Sequence, residues 1–405
     1  MKRPINAPIT FLLFLAGVIA YSCSQSTSTA PSSTNGEGVV LPDGTVFTRA
    51  ALLDAFGACI LSEITEFEAQ SRAFATAANA AVADPSALEA ARLEWEKTID
   101  IWQRLEVMQV GPAGRRTQPG GLDFRDSIYA FPHQDRCEID ENLTTESYAV
   151  DANEVSSEAQ GLGAAEYLLF SAAVENECAP ENEINTTGGW ASIDDGTLRL
   201  RRARYAAFAA DGVAETAASL LEAWSPEGED FLAELTRAGA GSRTYGRKRV
   251  ALNAVSDALA YVDWGVKDNK LARPLGLRGC GQMDCADYLE AKYSRRSKEH
   301  LRNNLIGFRK LFMGCGTDGA GLGFDDYLYA IGSPALAAEI DGVSQAALDG
   351  IAAIEEADLV TALETDKPSL LAVHETLGTL GGLLLNDLLV ALNLELPQMV
   401  QGDND

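Results

Sequence analysis

The chain has 405 residues, 59 acidic against 32 basic side chains, and a formal net charge of −27 at pH 7. Such a surface lacks the basic footprint that nucleic acid requires, so DNA and RNA are excluded as partners; it suits a well-hydrated domain that gathers cations only loosely. The length suffices for two domains with sizeable cores.

Residues 1–22 read as an export signal. Lys2 and Arg3 carry positive charge, and the apolar stretch from about Ile9 to Ala20 is too short for a transmembrane helix. Ala20-Tyr-Ser-Cys23 resembles a bacterial lipobox, which predicts a lipoprotein signal peptide and a lipid anchor at Cys23. Residues 23–47 follow as a flexible tether, because Ser24 to Glu37 is rich in Ser, Thr, Pro and Gly and cannot bury a core.

Helix signals dominate from there. Thr48 to Ala83 reads as a long Ala-rich helix or a helix pair. Asp84-Pro85-Ser86 supplies a capping Asp and a Pro at the first helical position. Leu88, Trp95, Trp102 and Gln109 then fall at heptad spacing beside Ala91, Thr98 and Leu105, an amphipathic helix stopped by Gly111-Pro112. Further helices are predicted at Ser156–Phe170 and Gly196–Trp224, before a break at Ser225-Pro226-Glu-Gly228. The second half repeats the style at Tyr245–Lys267, Ser294–Met313, Pro334–Ile354 and Pro368–Leu394. Val39–Phe47 and Leu122–Tyr129 are the short strand candidates. Leu380 to Leu396 is interrupted by Asn386, Asp387, Asn393 and Glu395, so it reads as a buried helix rather than a span. The pattern predicts an all-α fold of two antiparallel four-helix bundles, residues 48–228 and 229–405.

Besides Cys23 there are Cys59, Cys137, Cys178, Cys280, Cys285 and Cys315. An even set in an exported chain predicts three disulfides, and six cysteines allow 15 pairings. Cys280 and Cys285 flank a short loop and pair most easily; Cys137 with Cys178 and Cys59 with Cys315 would complete that set. A metal–thiolate site is the rival, but no Cys-x-x-Cys or neighbouring His supports it.

The sequence holds 3 histidines, His133, His300 and His374, none at metal-binding spacing from another. His300 is expected on a polar helix face. No Gly-x-Ser-x-Gly elbow occurs, and Gly319-Ala-Gly-Leu-Gly323 follows no strand, so it reads as a turn rather than a phosphate loop. A site of carboxylates alone stays open, because iron and manganese accept oxygen ligands.

Several segments carry a common signature. Gly161-Leu-Gly-Ala-Ala-Glu-Tyr-Leu-Leu-Phe170 is joined by Trp102-Gln-Arg-Leu-Glu106 with Gly111-Pro112, and by Arg125-Asp126-Ser-Ile-Tyr129 through Cys137. Lys267-Asp268-Asn-Lys270 with Pro274-Leu-Gly276, Leu301-Arg-Asn-Asn-Leu305 and Gly321-Leu-Gly-Phe-Asp-Asp326 complete the set. In this order they resemble the imelysin-like family of bacterial envelope proteins, first described as peptidases. The family signature Gly-x-His-x-x-Glu survives as Gly161 and Glu166, but Gly163 stands at the His position. A His and a Glu three residues apart share a helix face and can hold a metal; Glu166 alone is a far poorer ligand.

The resemblance implies two helical bundles with a functional cleft between them. It brings Glu106, Arg125, Asp126, Gly163, Glu166, Lys267, Asp268 and Lys270 forward as cleft residues, with Glu166 as the metal candidate. Salt bridges that merely lock the halves together are the alternative role for these charges. The expected function is that of an envelope lipoprotein at the outer membrane facing the periplasm, binding iron or another divalent metal in an acquisition role. The alternatives are a metallopeptidase with a rearranged site and a non-catalytic scaffold that docks an envelope protein partner.

Overall fold

The computed structural model describes residues 35–280 and 285–397. The signal peptide and Cys23 lie outside the described residues. Among the described residues, nine longer helices organise the fold: α1 (Arg49–Ala83), α2 (Leu88–Leu105), α3 (Arg136–Thr145), α4 (Gly161–Phe170), α5 (Asp195–Trp224), α6 (Lys248–Leu259), α7 (Ser297–Phe312), α8 (Pro334–Ala353) and α9 (Lys367–Gly382). The fold is all-α. α1, α2, α4 and α5 pack together in the N-terminal half; α7, α8, α9 and the segment after α6 pack in the C-terminal half. α2 also packs on α7, so one apolar core runs through both halves.

The local chemistry follows the chain's punctuation. Thr48 caps α1, its hydroxyl accepting from Ala51 N at 3.0 Å. α1 is one unbroken helix, with Leu52, Phe56, Ile60, Ile64, Phe67 and Phe74 along its buried face. Asp84 caps the turn Pro85–Ala87 that leads into α2. Asp194 caps α5 through Gly196 N and Thr197 N.

Some expectations are corrected. Among the described residues the strand candidate Val39–Phe47 forms only an isolated antiparallel bridge, Val40 to Val46. Phe47 at its end is fully buried and stacks on Tyr327, ring centroids 5.2 Å apart. The other candidate, Leu122–Tyr129, contains the short helix Phe124–Ile128 instead, with Ile128 buried. α2 stops at Leu105, short of Gln109. Ser156–Phe170 splits in two at Gly161, whose φ of +73° no continuous helix can hold.

The predicted helices Tyr245–Lys267 and Pro368–Leu394 are also less regular than their periodicity suggests. After α6 the chain continues as a π-helical segment, Val262–Ala272, and a second one, Leu383–Leu388, follows α9. The wider turn of a π-helix rotates side chains away from the 3.6-residue register and is often found at functional positions. The helical run 367–392 is long and apolar enough by composition to cross a membrane, yet Leu370, Val373, Leu377, Leu380, Leu384 and Leu388 are buried in the core.

Three disulfides staple the fold: Cys59–Cys315, Cys137–Cys178 and Cys280–Cys285. The first ties α1 to the chain just after α7. Cys137 and Cys178, which with Glu141 could offer three metal-ligating atoms, are consumed by their own bond.

Candidate functional site

A buried ammonium lies at the centre of the molecule. Lys270, on the first π-helical segment, is 1% exposed. Its Nζ lies 2.7 Å from Glu106 Oε2, 3.1 Å from Glu290 Oε1 and 2.9 Å from Asn304 Oδ1, and it also donates to Gln103 Oε1. Tyr261 and Phe131 present ring faces to the same nitrogen at 5.5 and 5.9 Å. An isolated charge buried this deeply would be prohibitive; two carboxylates and two amide oxygens compensate it.

Each wall of this cage comes from a different element. Gln103 and Glu106 project from the last turn of α2, and His300 and Asn304, four residues apart, share one face of α7. Close approach of the two helices depends on Gly307, where a Cβ would sit 2.3 Å from the Arg104 carbonyl oxygen. Asn304 Nδ2 donates to Gln103 O at 2.7 Å and fixes the register. Arg125 caps the cluster: it reaches Glu106 Oε1 at 3.3 Å, Asp126 Oδ1 at 3.0 Å and the Phe131 carbonyl. Burial disfavours the Arg125 charge, but Glu106 and Asp126 outweigh that and raise its pKa.

Glu290 links the cage to a cavity. Tyr129 Oη donates to Glu290 Oε1 at 2.8 Å, and Gln103 Nε2 donates to it at 3.2 Å. Burial alone would raise the Glu290 pKa; Lys270, then His300 and Tyr129, pull it below the ordinary carboxylate range. Burial and the Glu290 charge push the Tyr129 phenol well up, so it stays a neutral donor.

The cavity, about 310 Å³, is walled by Tyr129, Gln134, Gly163, Glu166, Glu290 and Tyr293, with Arg136 and Arg273 among its other lining residues. Glu166 Oε1 accepts from the backbone N–H groups of Tyr293 and Ser294 at 2.9 and 2.8 Å. Burial dominates these bonds and raises the Glu166 pKa. The space beside Gly163 is filled by the Gln134 side chain, whose Oε1 lies 1.9 Å from where a Cβ would stand. Gln134 Nε2 is buried and has no hydrogen-bond partner.

The structure therefore gathers Glu106, Arg125 and Lys270 in one cluster, with Asp126 at its edge, its side chain 45% exposed. Gly163 and Glu166 line the neighbouring cavity. Lys267 and Asp268 lie elsewhere: Lys267 pairs with Asp263 at 2.9 Å and Asp268 at 3.5 Å, beside Gly378 and Gly381 of α9. The sequence reading missed Gln103, Tyr129, Glu290 and Asn304. Gln103 lies one position beyond Trp102, off the predicted buried stripe of α2, and Glu290 lies in irregular chain; neither position carried a signal. His300 is a correction. It is 0% exposed rather than on a polar face, because α2 covers that side of α7. Its Nδ1 lies 3.2 Å from Glu290 Oε2 without hydrogen-bond geometry, and neither ring nitrogen has a hydrogen-bond partner. His133 is exposed and His374 half-buried on α9.

These donors do not suit a resident catalytic metal. One carboxylate, already engaged by two backbone N–H groups, faces the position where the family's His is replaced by Gly163. The richer oxygen set around Glu106 and Glu290 is occupied by the Lys270 ammonium. A catalytic zinc takes three protein ligands.

Comparison with known proteins bears on both fold and site. The sequence matches the imelysin family, also described as peptidase M75, over residues 60–377. No curated protein matches it. An imelysin-like protein from Psychrobacter arcticum 273-4 superposes with a TM-score of 0.62 at 17% identity, over 86% of this chain and 96% of that one. A candidate iron-regulated protein A precursor from Parabacteroides distasonis ATCC 8503 superposes with a TM-score of 0.63 at 14% identity, over 84% and 95% of the two chains.

Proposed function

The chain belongs to the imelysin family, and from that premise we propose that it is a lipid-anchored cell-envelope protein of iron or other metal acquisition, binding its ligand in the cavity beside Gly163 and Glu166 rather than cutting peptides. The cavity itself carries the reading. It opens where the family signature falls, it has the volume of a small-molecule site, and polar groups converge on it from the Phe131–Arg136 loop, α4 and the chain before α7.

Three disulfides among the described cysteines support an oxidising compartment outside the cytosol. The lipobox around Cys23 supports a membrane anchor, with the outer membrane facing the periplasm as its place. The iron setting draws support from the name of one structural neighbour, an iron-regulated protein A precursor. Iron is cargo on this reading, and the mismatch between the donors and a resident metal weighs against a peptidase.

The test is calorimetric titration of the mature chain with ferrous sulfate under anaerobic conditions and with ferric citrate, beside digestion of unfolded casein. We expect one iron species to bind at about one per chain, and Gly163→Leu, which fills the cavity, to weaken it by at least about tenfold. Glu166→Gln serves if Gly163→Leu fails to fold. Chelator-sensitive casein cleavage would restore the peptidase reading. Absence of uptake of either iron species would overturn the acquisition role.

A further inference from the structure

We infer that the ligand of this cavity carries a small oxyanion, a carboxylate or phosphate group held between Arg136 and Arg273. The inference rests on the binding reading above and adds the charge and chemistry of what is bound.

The two arginines lack the carboxylate partners that several other part-buried arginines of this chain have. Acids outnumber bases 59 to 32, so a partly buried guanidinium has carboxylates on offer. Arg104 pairs with Glu63 and Glu66, Arg125 with Glu106 and Asp126, and Arg296 with Glu96 and Asp100. Arg136 and Arg273 form no ion pair among the described residues. Instead each guanidinium lies over an aromatic ring: Arg273 is 4.4 Å from the Tyr288 centroid and Arg136 is 5.4 Å from that of Tyr293. Arg136 adds only a long hydrogen bond to the Asp287 carbonyl, 3.4 Å. Stacking fixes the plane of a guanidinium and leaves its N–H edges free to form the fork that matches carboxylate and phosphate oxygens.

A third donor points the same way. The buried Gln134 amide has an N–H group with no acceptor among the described residues, an unfavourable state unless something else accepts from it. An oxyanion in the cavity supplies that acceptor.

The acids lining the cavity do not oppose this. Asp287 is paired with Lys292 at 2.9 Å. Glu290 is neutralised by Lys270 at 3.1 Å. Glu166 is held by two backbone N–H groups, which offset its charge.

Carboxylate and phosphate share this chemistry, and calorimetry separates them. The mature chain is titrated with iron-free citrate and, separately, with inorganic phosphate. Arg136→Gln and Arg273→Gln are compared with wild type, and Arg249→Gln, a surface change remote from the cavity, is the control. We expect one of the two anions to bind, each cavity variant to weaken it by at least about tenfold, and the control to change nothing. Citrate binding without phosphate identifies the ligand as a carboxylate, the reverse as a phosphate. If a cavity variant does not fold, wild type in rising NaCl is the substitute: affinity that is insensitive to salt overturns the inference. So does an absence of binding by both anions, or affinity unchanged in both arginine variants. Ferrous iron binding without either anion sinks this inference and leaves the acquisition role standing. Anion binding without any iron species does the opposite.

Discussion

Lys270 Nζ and Glu106 Oε2 meet 2.7 Å apart, at a place where both side chains are at most 1% exposed. The pair joins the π-helical segment to the end of α2, and so binds one half of the molecule to the other. Removing the ammonium would leave Glu106 with Arg125 alone and Glu290 with only the neutral donors Tyr129 and Gln103. Breaking a buried pair in this way costs about 3–5 kcal/mol. Lys270→Met should therefore lower the free energy of unfolding in urea by that amount, and Glu106→Gln, which keeps the shape and an acceptor, by clearly less. Equal and small losses in both variants would mean that the cage is not a stability element.

Two glycines of the same helix should respond oppositely. Gly161 has φ +73°, and a Cβ there would stand 2.5 Å from the Ile128 carbonyl oxygen, a backbone atom with no freedom to yield. Gly161→Ala should cost at least about 2 kcal/mol, from the left-handed backbone and the clash together. Gly163 is in ordinary helical conformation, and its Cβ would meet only the end of the Gln134 side chain. Swinging that amide aside costs little, and Ala gains about 1 kcal/mol of helix propensity over Gly. Gly163→Ala should thus fall within about 1 kcal/mol of wild type in the same urea titration. A large loss there would show that Gln134 is locked in place.

How far this could be read from the residues depends on which interactions make each feature. α2 was legible because Leu88, Trp95 and Trp102 recur at heptad spacing and Asp84-Pro85 marks its start, and α1 and α5 because long helix-forming runs end at Asp84 and at Ser225-Pro226. Glu106, Arg125 and Lys270 could be named from the family signature, but nothing local places them together. Their meeting depends on π-helical turns, which place Lys270 against α2 while Lys267 lies beside α9. Glu290 escaped notice for a related reason: the chain around it follows no period, and only tertiary contacts with Lys270 and Tyr129 define its place.

The disulfides should differ in weight. Cys59–Cys315 spans a sequence separation of 256, and Cys280–Cys285 one of only 5. If cross-links act mainly by restricting the unfolded chain, removing the first should cost about 5 kcal/mol and the second about 2 kcal/mol. Paired Cys→Ser changes, followed by thermal melting, test this. A Cys280→Ser/Cys285→Ser variant that loses more than Cys59→Ser/Cys315→Ser would show that the short bridge acts on the native state instead.

Stability should fall as pH rises from about 4.5 to 8, and the sign follows from two carboxyls in the C-terminal half. Burial raises Asp257 to about 7, helped by the nearby Glu395 charge, and raises Asp325 to about 7, helped by Asp326 and Asp341. Each has an Oδ1 that is buried without a hydrogen-bond partner among the described residues, which opposes ionisation there. In the unfolded chain both titrate near the ordinary value of 3.8. Across the interval up to about pH 7 the native state consequently holds protons that the unfolded state has released. Stability present at the acid end of that window is lost as these groups are forced to ionise in the fold. Groups with lowered values act elsewhere: Glu234, held at about 2 by N–H and hydroxyl donors against its burial, is ionised in both states above about pH 5. Asp257→Asn and Asp325→Asn should each flatten the decline and melt above wild type at pH 8, while matching it more closely near pH 5. Melting temperatures of wild type that hold level or climb between pH 5 and 8 would contradict this assignment.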